Sequence, residues 1–327
     1  MGLLENSPIQ NPPTSPAEFE RSPTGLQTKD LSGKNFESAK LIIGKVLGSG
    51  GFGSVYEVIY SGRRYALKQW HKSSKNIRAS NESYEAEIST LNFRHPNIAR
   101  AYCALELDGF HTLIMEYVGH MNLQELINAQ EEPLENYRQV KFALHIARGL
   151  AFAHRKGIAH LDLKPSNVLI SERDICKIAD FGCCQSVGSV ERPASPTKSS
   201  LTGTFAYLAP ELLKGECPTT KADIYSLGIC LWQMLTRDRP YAGQNPHVAI
   251  FAVVAFGDRP LIPEEKILEC KEQCFVDLMR SCWQAEPSSR PCARGLVKIL
   301  KKWEKHCEPV DELNDFCIRS TLHANDV

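Results

Sequence analysis

Residues 223–235 read DIYSLGICLWQML, a run that is apolar on nearly every face when wound into a helix. Such a helix has no side to give to water and must be buried all round inside a helical body. The surrounding sequence supplies that body. Val140, Ala143, Leu144, Ala147, Leu150 and Ala151 recur at helical spacing, the pattern of a helix with one apolar face. Helical patterning then continues to about residue 305.

The first part of the chain follows a different period. LIIGKVLG, SVYEVIY and RRYALKQW are expected as three strands separated by glycine-bearing turns. The polar stretch HKSSKNIRASNES leads into a helix expected around 82–92, and FHTLIMEYV (110–118) is expected as a buried strand. The layout is α+β and bilobal: a small antiparallel-sheet lobe with one main helix over 39–118, then a larger helical lobe over 119–305, with no internal repeat. A chain of 327 residues is long enough for one large domain or for two lobes around a shared cleft. Residues 1–38 hold few large apolar side chains. They bury too little surface to offset their ordering entropy, so disorder is expected there. The polar tail from 306 is expected to be loose.

Charge and cysteine usage exclude several classes. Lys+Arg and Asp+Glu both number 38, so no global field favours nucleic acid or an anionic membrane. The basic run KILKKWEK (298–305) reads as a solvated helix face. No apolar run approaches the roughly 18–20 residues needed to span a bilayer. Of the 12 cysteines, Cys176, Cys230 and Cys282 lie in apolar runs, Cys183 and Cys184 are adjacent, and no pair has zinc-ribbon spacing. With no secretory signal, reduced thiols in the cytoplasm are expected. The opening MGLLENS has Asn6 where a myristoylation motif wants Ser or Thr, which argues against lipidation.

The chemistry begins at GSGGFGSV (48–55), where Gly48, Gly50 and Gly53 form G-x-G-x-x-G before Val55. Dinucleotide sites send such glycines into a helix, whereas strand-like sequence follows here, and no G-x-x-x-x-G-K-[ST] loop is present. A hairpin folded over nucleotide phosphates fits, with Leu47, Gly48, Ser49, Gly50, Gly51, Phe52, Gly53, Ser54 and Val55 as its residues. Lys68 follows Val55 by 13 positions. Strand alternation puts Ala66 and Lys68 on one face, a small residue for adenine and an ammonium for phosphate oxygens. The alternative is a lysine at an exposed strand edge. A lysine clamp needs a carboxylate: Glu87 is the candidate, Glu85 the competitor, and the spacing from Glu87 to His95 is one residue short.

HLDLKPSN (160–167), DFG (180–182) and APE (209–211) complete the set. Moving a γ-phosphoryl group demands positioned charge more than covalent help. Asp162 can orient the acceptor hydroxyl, and Lys164 can neutralise charge developing on the transferred group. Asn167 and Asp180 offer hard oxygens to Mg²⁺.

With these landmarks, residues from about 41 to 303 resemble a eukaryotic protein kinase. The resemblance implies ATP and Mg²⁺ as cofactors, Met115 as gatekeeper and Glu116–Gly119 (with Tyr117) as the hinge beside adenine. It also implies that Asp223 braces the catalytic loop and that Glu211 and Arg290 form a buried structural ion pair. DLKPSN, and GTFAYLAPE with Thr204, resemble the Ser/Thr class. Leu161 stands where the family carries an arginine that pairs with a phosphorylated loop residue. An uncharged side chain cannot make that contact, so activity without obligatory phosphorylation over 183–208 is expected.

HLDLKPSNVLISERDICKIADFGC, the leucine included, resembles the Mos family, as do GSGGFGSVYEV, APELLKGE, KADIYSLGICLWQM and AVVAFGDRP. That resemblance implies a cytoplasmic MAP kinase kinase kinase that phosphorylates and activates MEK during oocyte meiotic maturation and arrest. It implies a protein substrate, and neither a nucleic-acid nor a membrane partner. Ser7-Pro8, Ser15-Pro16 and Ser22-Pro23 fit feedback by a proline-directed kinase. The runner-up is a kinase of a Raf-like group. A silent scaffold would have lost Lys68, Asn167 or Asp180, and all three are present.

Overall fold

The computed structural model describes residues 41–72, 76–129, 134–188, 205–269 and 273–306, with the backbone of 27–29 and 35–37. The Ser-Pro sites, Thr204, Asn6 and the tail beyond 306 lie outside these residues. Within the segment expected to be disordered, Gln27–Lys29 pairs antiparallel with Asn35–Glu37.

The first three strands are β1 (Leu41–Ser49), β2 (Gly53–Tyr60) and β3 (Arg63–Trp70). β2 and β3 are joined by Ser61 and Gly62, both at positive φ (49° and 74°), the backbone of a type I′ hairpin. Helix α1 (Ile77–Ser89) is capped by Asn76, whose side chain accepts from the Ala79 N–H at 3.1 Å. It starts well before residue 82 and stops at 89. Its buried face consists of Ala79, Ser80, Ser83 and Glu87, so no apolar stripe announced its first turns.

A strand that the sequence pattern did not reveal, β4 (Ala101–Leu107), precedes β5 (Phe110–Glu116). Asp108 and Gly109 join them at φ 52° and 74°; this Asp-Gly pair is itself a hairpin signal. The antiparallel order is β1-β2-β3-β5-β4. Lys68 therefore sits on the central strand, which removes the exposed-edge alternative.

The larger part of the chain opens with a short strand β6 (Met121–Asn122), α2 (Leu123–Asn128) and α3 (Asn136–Arg155). Then come four short elements, β7 (Ile158–Ala159), β8 (Val168–Ile170), β9 (Cys176–Ile178) and β10 (Gln185–Ser186). They pair as β9-β8-β6 and β10-β7, where only helices had been expected. Pairs of two or three residues are too short to leave a period in the sequence. The remaining helices are α4 (Pro210–Leu213), α5 (Thr220–Thr236), α6 (Pro246–Ala255), α7 (Glu264–Glu269), α8 (Gln273–Cys282) and α9 (Ala293–Glu304).

Every residue from Ala222 to Thr236 is buried, as the all-round apolar run of α5 requires. Around α5 lies one continuous core that includes Phe142, Leu144, Ile146, Leu150, Phe275 and Met279. Lys298, Lys301 and Lys302 of α9 are exposed, in keeping with a solvated face. The nine cysteines among the described residues are all unbridged.

His145 of α3 is 7% exposed, and its Nδ1 accepts from the Cys176 N–H at 3.3 Å. Burial, with help from the charges of Arg148 and Lys141, pushes its pKa down from 6.5 to about 4. The unfolded chain therefore binds the extra proton between those two values. Stability is complete above pH 6.5 and is lost as pH falls toward 4, by roughly 3 kcal/mol at 1.36 kcal/mol per unit. Urea unfolding of wild type and His145→Asn across pH 7 to 4 checks this. The variant keeps an acceptor and is expected to lose that part of the pH dependence.

Candidate active site

Lys68 lies opposite Val55 on one side and Leu113 on the other in the sheet register. Its side chain shares the face of Ala66 and points at α1. The ammonium Nζ donates to Glu87 Oε1 at 2.5 Å and to Asp180 Oδ1 at 2.7 Å. Glu85 is exposed, because two residues along a helix is a rotation of about 200°. Helix phase thus selects Glu87. Burial works against the charged ammonium, but the carboxylates of Asp180 and Glu87 outweigh it and raise the Lys68 pKa. Glu87 is 2% exposed, and burial raises its carboxyl pKa against the pull of Lys68. Asp180 faces the cleft; burial is outweighed by the Lys68 charge and hydrogen bond, which hold its pKa low.

The glycine hairpin closes through the Gly50 N–H to the Gly53 carbonyl at 2.8 Å. Gly48, Ser49, Gly50 and Gly51 are exposed, Leu47, Phe52, Ser54 and Val55 half-buried. At Gly53 a Cβ would stand 2.3 Å from the Gln69 carbonyl oxygen, so only glycine lets the two strands approach. The Ser49 and Ser54 hydroxyls pair at 3.0 Å, and Ser54 Oγ lies 3.2 Å from His71 Nε2.

Met115 is the direct cross-strand partner of Ala66. The Glu116 side chain is engaged elsewhere: it accepts from Lys177 Nζ at 2.6 Å and from the Arg100 N–H at 3.1 Å. Arg64 stacks on the Tyr117 ring at 4.9 Å. Both side chains are thus engaged at the β5 exit, by Lys177 and the Arg100 backbone at Glu116 and by Arg64 at Tyr117. Lys177 was missed in the sequence; its partner is 61 residues away, and no local motif marks it.

Asp162 accepts from Lys164 Nζ at 2.8 and 3.1 Å and from Asn167 Nδ2 at 3.0 Å. Burial raises the Asp162 pKa, with Lys164 opposing and Asp180 adding to the rise, which makes it a readier proton acceptor. His160 is fully buried, and its ring joins two loops. Its Nε2 lies 3.1 Å from the Ala179 carbonyl, and its Nδ1 lies 3.3 Å from the Asp162 N–H. A neutral ring protonated at Nε2 satisfies both contacts. Phe181 packs edge-to-face on the same ring at 4.6 Å.

Leu161 has φ 63° and is buried, a conformation that costs a bulky residue about 1–2 kcal/mol. Asp223 holds it there: its Oδ1 accepts the Leu161 N–H, its Oδ2 the His160 N–H, both at 2.8 Å. His154 Nε2 lies 2.7 Å from the same Oδ2. Burial works to raise the Asp223 pKa, and these bonds and charges hold it below the ordinary value. Asp180 is the second strained residue of the cleft, at φ 62°. A Cβ at Gly182 would lie 2.5 Å from Ser83 Oγ, so that glycine lets α1 lie directly on the segment after Asp180.

Asn167 spends its amide nitrogen on the Asp162 carbonyl and carboxylate, which leaves its carbonyl oxygen as the donor for a cation. Among the described residues no group of three or more His, Cys, Asp and Glu is arranged to hold a metal. Two protein oxygens, from Asn167 and Asp180, suit a magnesium ion, which keeps water and phosphate oxygens as its other ligands.

A protein kinase domain family model matches residues 41–301. The serine/threonine-protein kinase mos of Patiria pectinifera is 47% identical over 262 residues, 79% of this chain and 73% of that protein. The proto-oncogene serine/threonine-protein kinase mos of Mus musculus is 42% identical over 271 residues, 78% of each chain. The transforming protein mos of Moloney murine sarcoma virus (strain m1) is 42% identical over 280 residues, 81% of this chain and 74% of that protein. Protein kinases of this kind use ATP and Mg²⁺ and act on proteins. With its small antiparallel sheet set on a helical body and these relatives spanning most of its length, this chain belongs to the Mos family of serine/threonine protein kinases.

Proposed function

We propose that this kinase acts at the MAP kinase kinase kinase level, in the cytoplasm, on the Ser or Thr of a MEK-type kinase. The wider role we infer is oocyte meiotic maturation and arrest. The observation that carries the reading is the pair of clusters in one cleft, Lys68 with Glu87 and Asp180, and Asp162 with Lys164 and Asn167. Glu87 holds Lys68 where it meets the phosphates under the Leu47–Val55 hairpin. Ala66, Met115 and the backbone of Glu116 and Tyr117 border the adenine. Asp162 orients the acceptor hydroxyl and takes its proton as that oxygen bonds to the γ-phosphorus, while the bond from the γ-phosphorus to the β–γ bridging oxygen breaks and ADP leaves with that electron pair. Lys164 stabilises the charge that develops on the transferred group. Asn167 and Asp180 would hold a magnesium ion, which would supply further neutralisation of the phosphates. The relatives' names support the family level, and the MEK-type substrate extends it. The test is ATP phosphotransfer to catalytically dead MEK against generic Ser/Thr substrates; equal turnover of both would favour the Raf-like or another kinase group.

Leu161 supports a second element of this reading, activity without obligatory phosphorylation over 183–208. Its side chain joins the buried apolar cluster and presents no donor to a phosphate. A protein with every Ser and Thr in that range except Thr204 changed to Ala is expected to keep kcat within about threefold of wild type. An inert variant beside an active wild type would sink the idea. Feedback by a proline-directed kinase at Ser7, Ser15 and Ser22 completes the proposal. Alanine at all three is expected to change the protein's lifetime in cells.

A further inference from the structure

Glu87 meets Lys68 only when α1 lies on the sheet in one rotational phase, yet the helix has little to hold that phase with. The residues it buries are Ala79, Ser80, Ser83 and Glu87, none of them large and apolar. An apolar stripe is what ordinarily seats a helix. Two half-buried residues, Tyr84 and Ile88, supply bulk instead, packing on the cluster of Trp70, Leu91, Ala101 and Leu113. Tyr84 precedes Glu87 by three positions, so the two share one side of α1.

The sheet offers Tyr84 a slot. Gln69 of β3 pairs with Thr112 of β5. One more step of that antiparallel register sets Trp70 beside His111, on the face that carries Lys68. The Tyr84 ring stacks on His111 at 4.2 Å and 13°, and meets the Trp70 indole edge-to-face at 5.2 Å and 77°. Apolar burial has no direction, whereas aromatic pairs prefer defined angles, so this sandwich fixes a phase that burial alone would leave loose. Trp70 closes the circuit. Lys68 Nζ stands 4.9 Å from its ring centroid, within cation–π reach, and Phe52 of the glycine hairpin packs on the same cluster. Trp70 is 3% exposed, and its Nε1 has no hydrogen-bond partner among the described residues. The indole is therefore held by its ring contacts, not by its polar edge.

We propose that Tyr84, gripped between Trp70 and His111, is a positioning residue for phosphoryl transfer, setting the phase of α1 that brings Glu87 onto Lys68. The ring does this, not the hydroxyl. Without the ring α1 turns, Glu87 slides off the ammonium, and Lys68 loses a partner that aims it at the phosphates. Transfer chemistry tolerates such displacement poorly. The inference rests on the assignment of Lys68 to the phosphates, which Lys68→Met tests separately.

The experiment is a double-mutant cycle on the full chain, read as phosphotransfer from ATP to a Ser-containing peptide. Tyr84→Ala is expected to lower kcat/KM for ATP about tenfold, and His111→Ala, at an exposed position, about threefold, the scale of lost aromatic pairs. Tyr84→Phe keeps the ring and is expected to stay within about twofold of wild type. Glu87→Gln is expected to lose more than any of these, and adding Tyr84→Ala to it to cost nothing further, because both act through one contact. A residue that only supported the fold would multiply its loss with that of Glu87→Gln. Multiplied losses overturn the proposal, as does Tyr84→Phe as impaired as Tyr84→Ala, or wild-type kinetics in both Tyr84→Ala and His111→Ala. Should Tyr84→Ala not fold, the same cycle run with His111→Ala decides by the same criterion. An active Lys68→Met removes the phosphate role of Lys68 itself, a result distinct from the others.

Discussion

Lys68→Met and Asp180→Asn are each expected to lower kcat by at least ~10³-fold, the scale of losing a positioned charge at a transferring phosphoryl group. Both proteins should stay folded, and the reason lies in the electrostatics. Methionine leaves Glu87 buried without its ammonium partner, a costly state for a carboxylate. Burial already raises the Glu87 pKa, so without Lys68 it takes up a proton instead of holding an unpaired charge. Asparagine at 180 removes a carboxylate but leaves the bond from Lys68 to Glu87. Phosphotransfer to dead MEK and thermal unfolding check the two halves together. Activity retained by either variant would displace the assigned roles; a collapsed melting temperature would turn a catalytic result into a folding one.

Arg290→Ala is expected to produce the largest loss of stability. The guanidinium is fully buried and grips Glu211 through both oxygens, at 2.7 and 2.8 Å. It also donates to the carbonyls of Gln284, Lys221 and Ala285 at 2.8, 2.9 and 3.0 Å. Lys221 Nζ in turn donates to the Arg290 carbonyl. Truncation strands a buried carboxylate and three carbonyls at once, a loss of about 3–5 kcal/mol. That corresponds to a fall in melting temperature on the order of 10 °C for a domain of this size. Arg290→Lys is expected to recover little of it, since a single ammonium cannot reproduce the planar fork. Calorimetry of the variants checks the cost. The kcat of the folded fraction, measured well below the transition, should stay near wild type because Arg290 supports the lobe and touches no reacting group.

The parts of the site that were legible early are those written in short, ordered strings. Asp162, Lys164 and Asn167 sit within one turn of chain, and Gly48, Gly50 and Gly53 within another. Local backbone geometry alone brings such residues together, so their spacing carries the meaning. The strand bounds were legible for the same reason, since alternation and turn residues act over a few positions. α1 was harder. Its buried face carries two serines and a glutamate, so an apolar pattern could not mark where it begins. β4 was missed, although Asp108-Gly109 after it was a usable sign.

The order of motifs along the chain settled which chemistry is possible and which family carries it, because each motif closes on itself through neighbouring residues. Three-dimensional packing settled the rest. It chose Glu87 over Glu85 through the phase of α1 against β3 and turned the Glu116 carboxylate toward Lys177. It held Leu161 at positive φ through Asp223. Each of these depends on contacts between residues far apart in sequence, and the free energy of such contacts belongs to the assembled surfaces, not to any single stretch of chain.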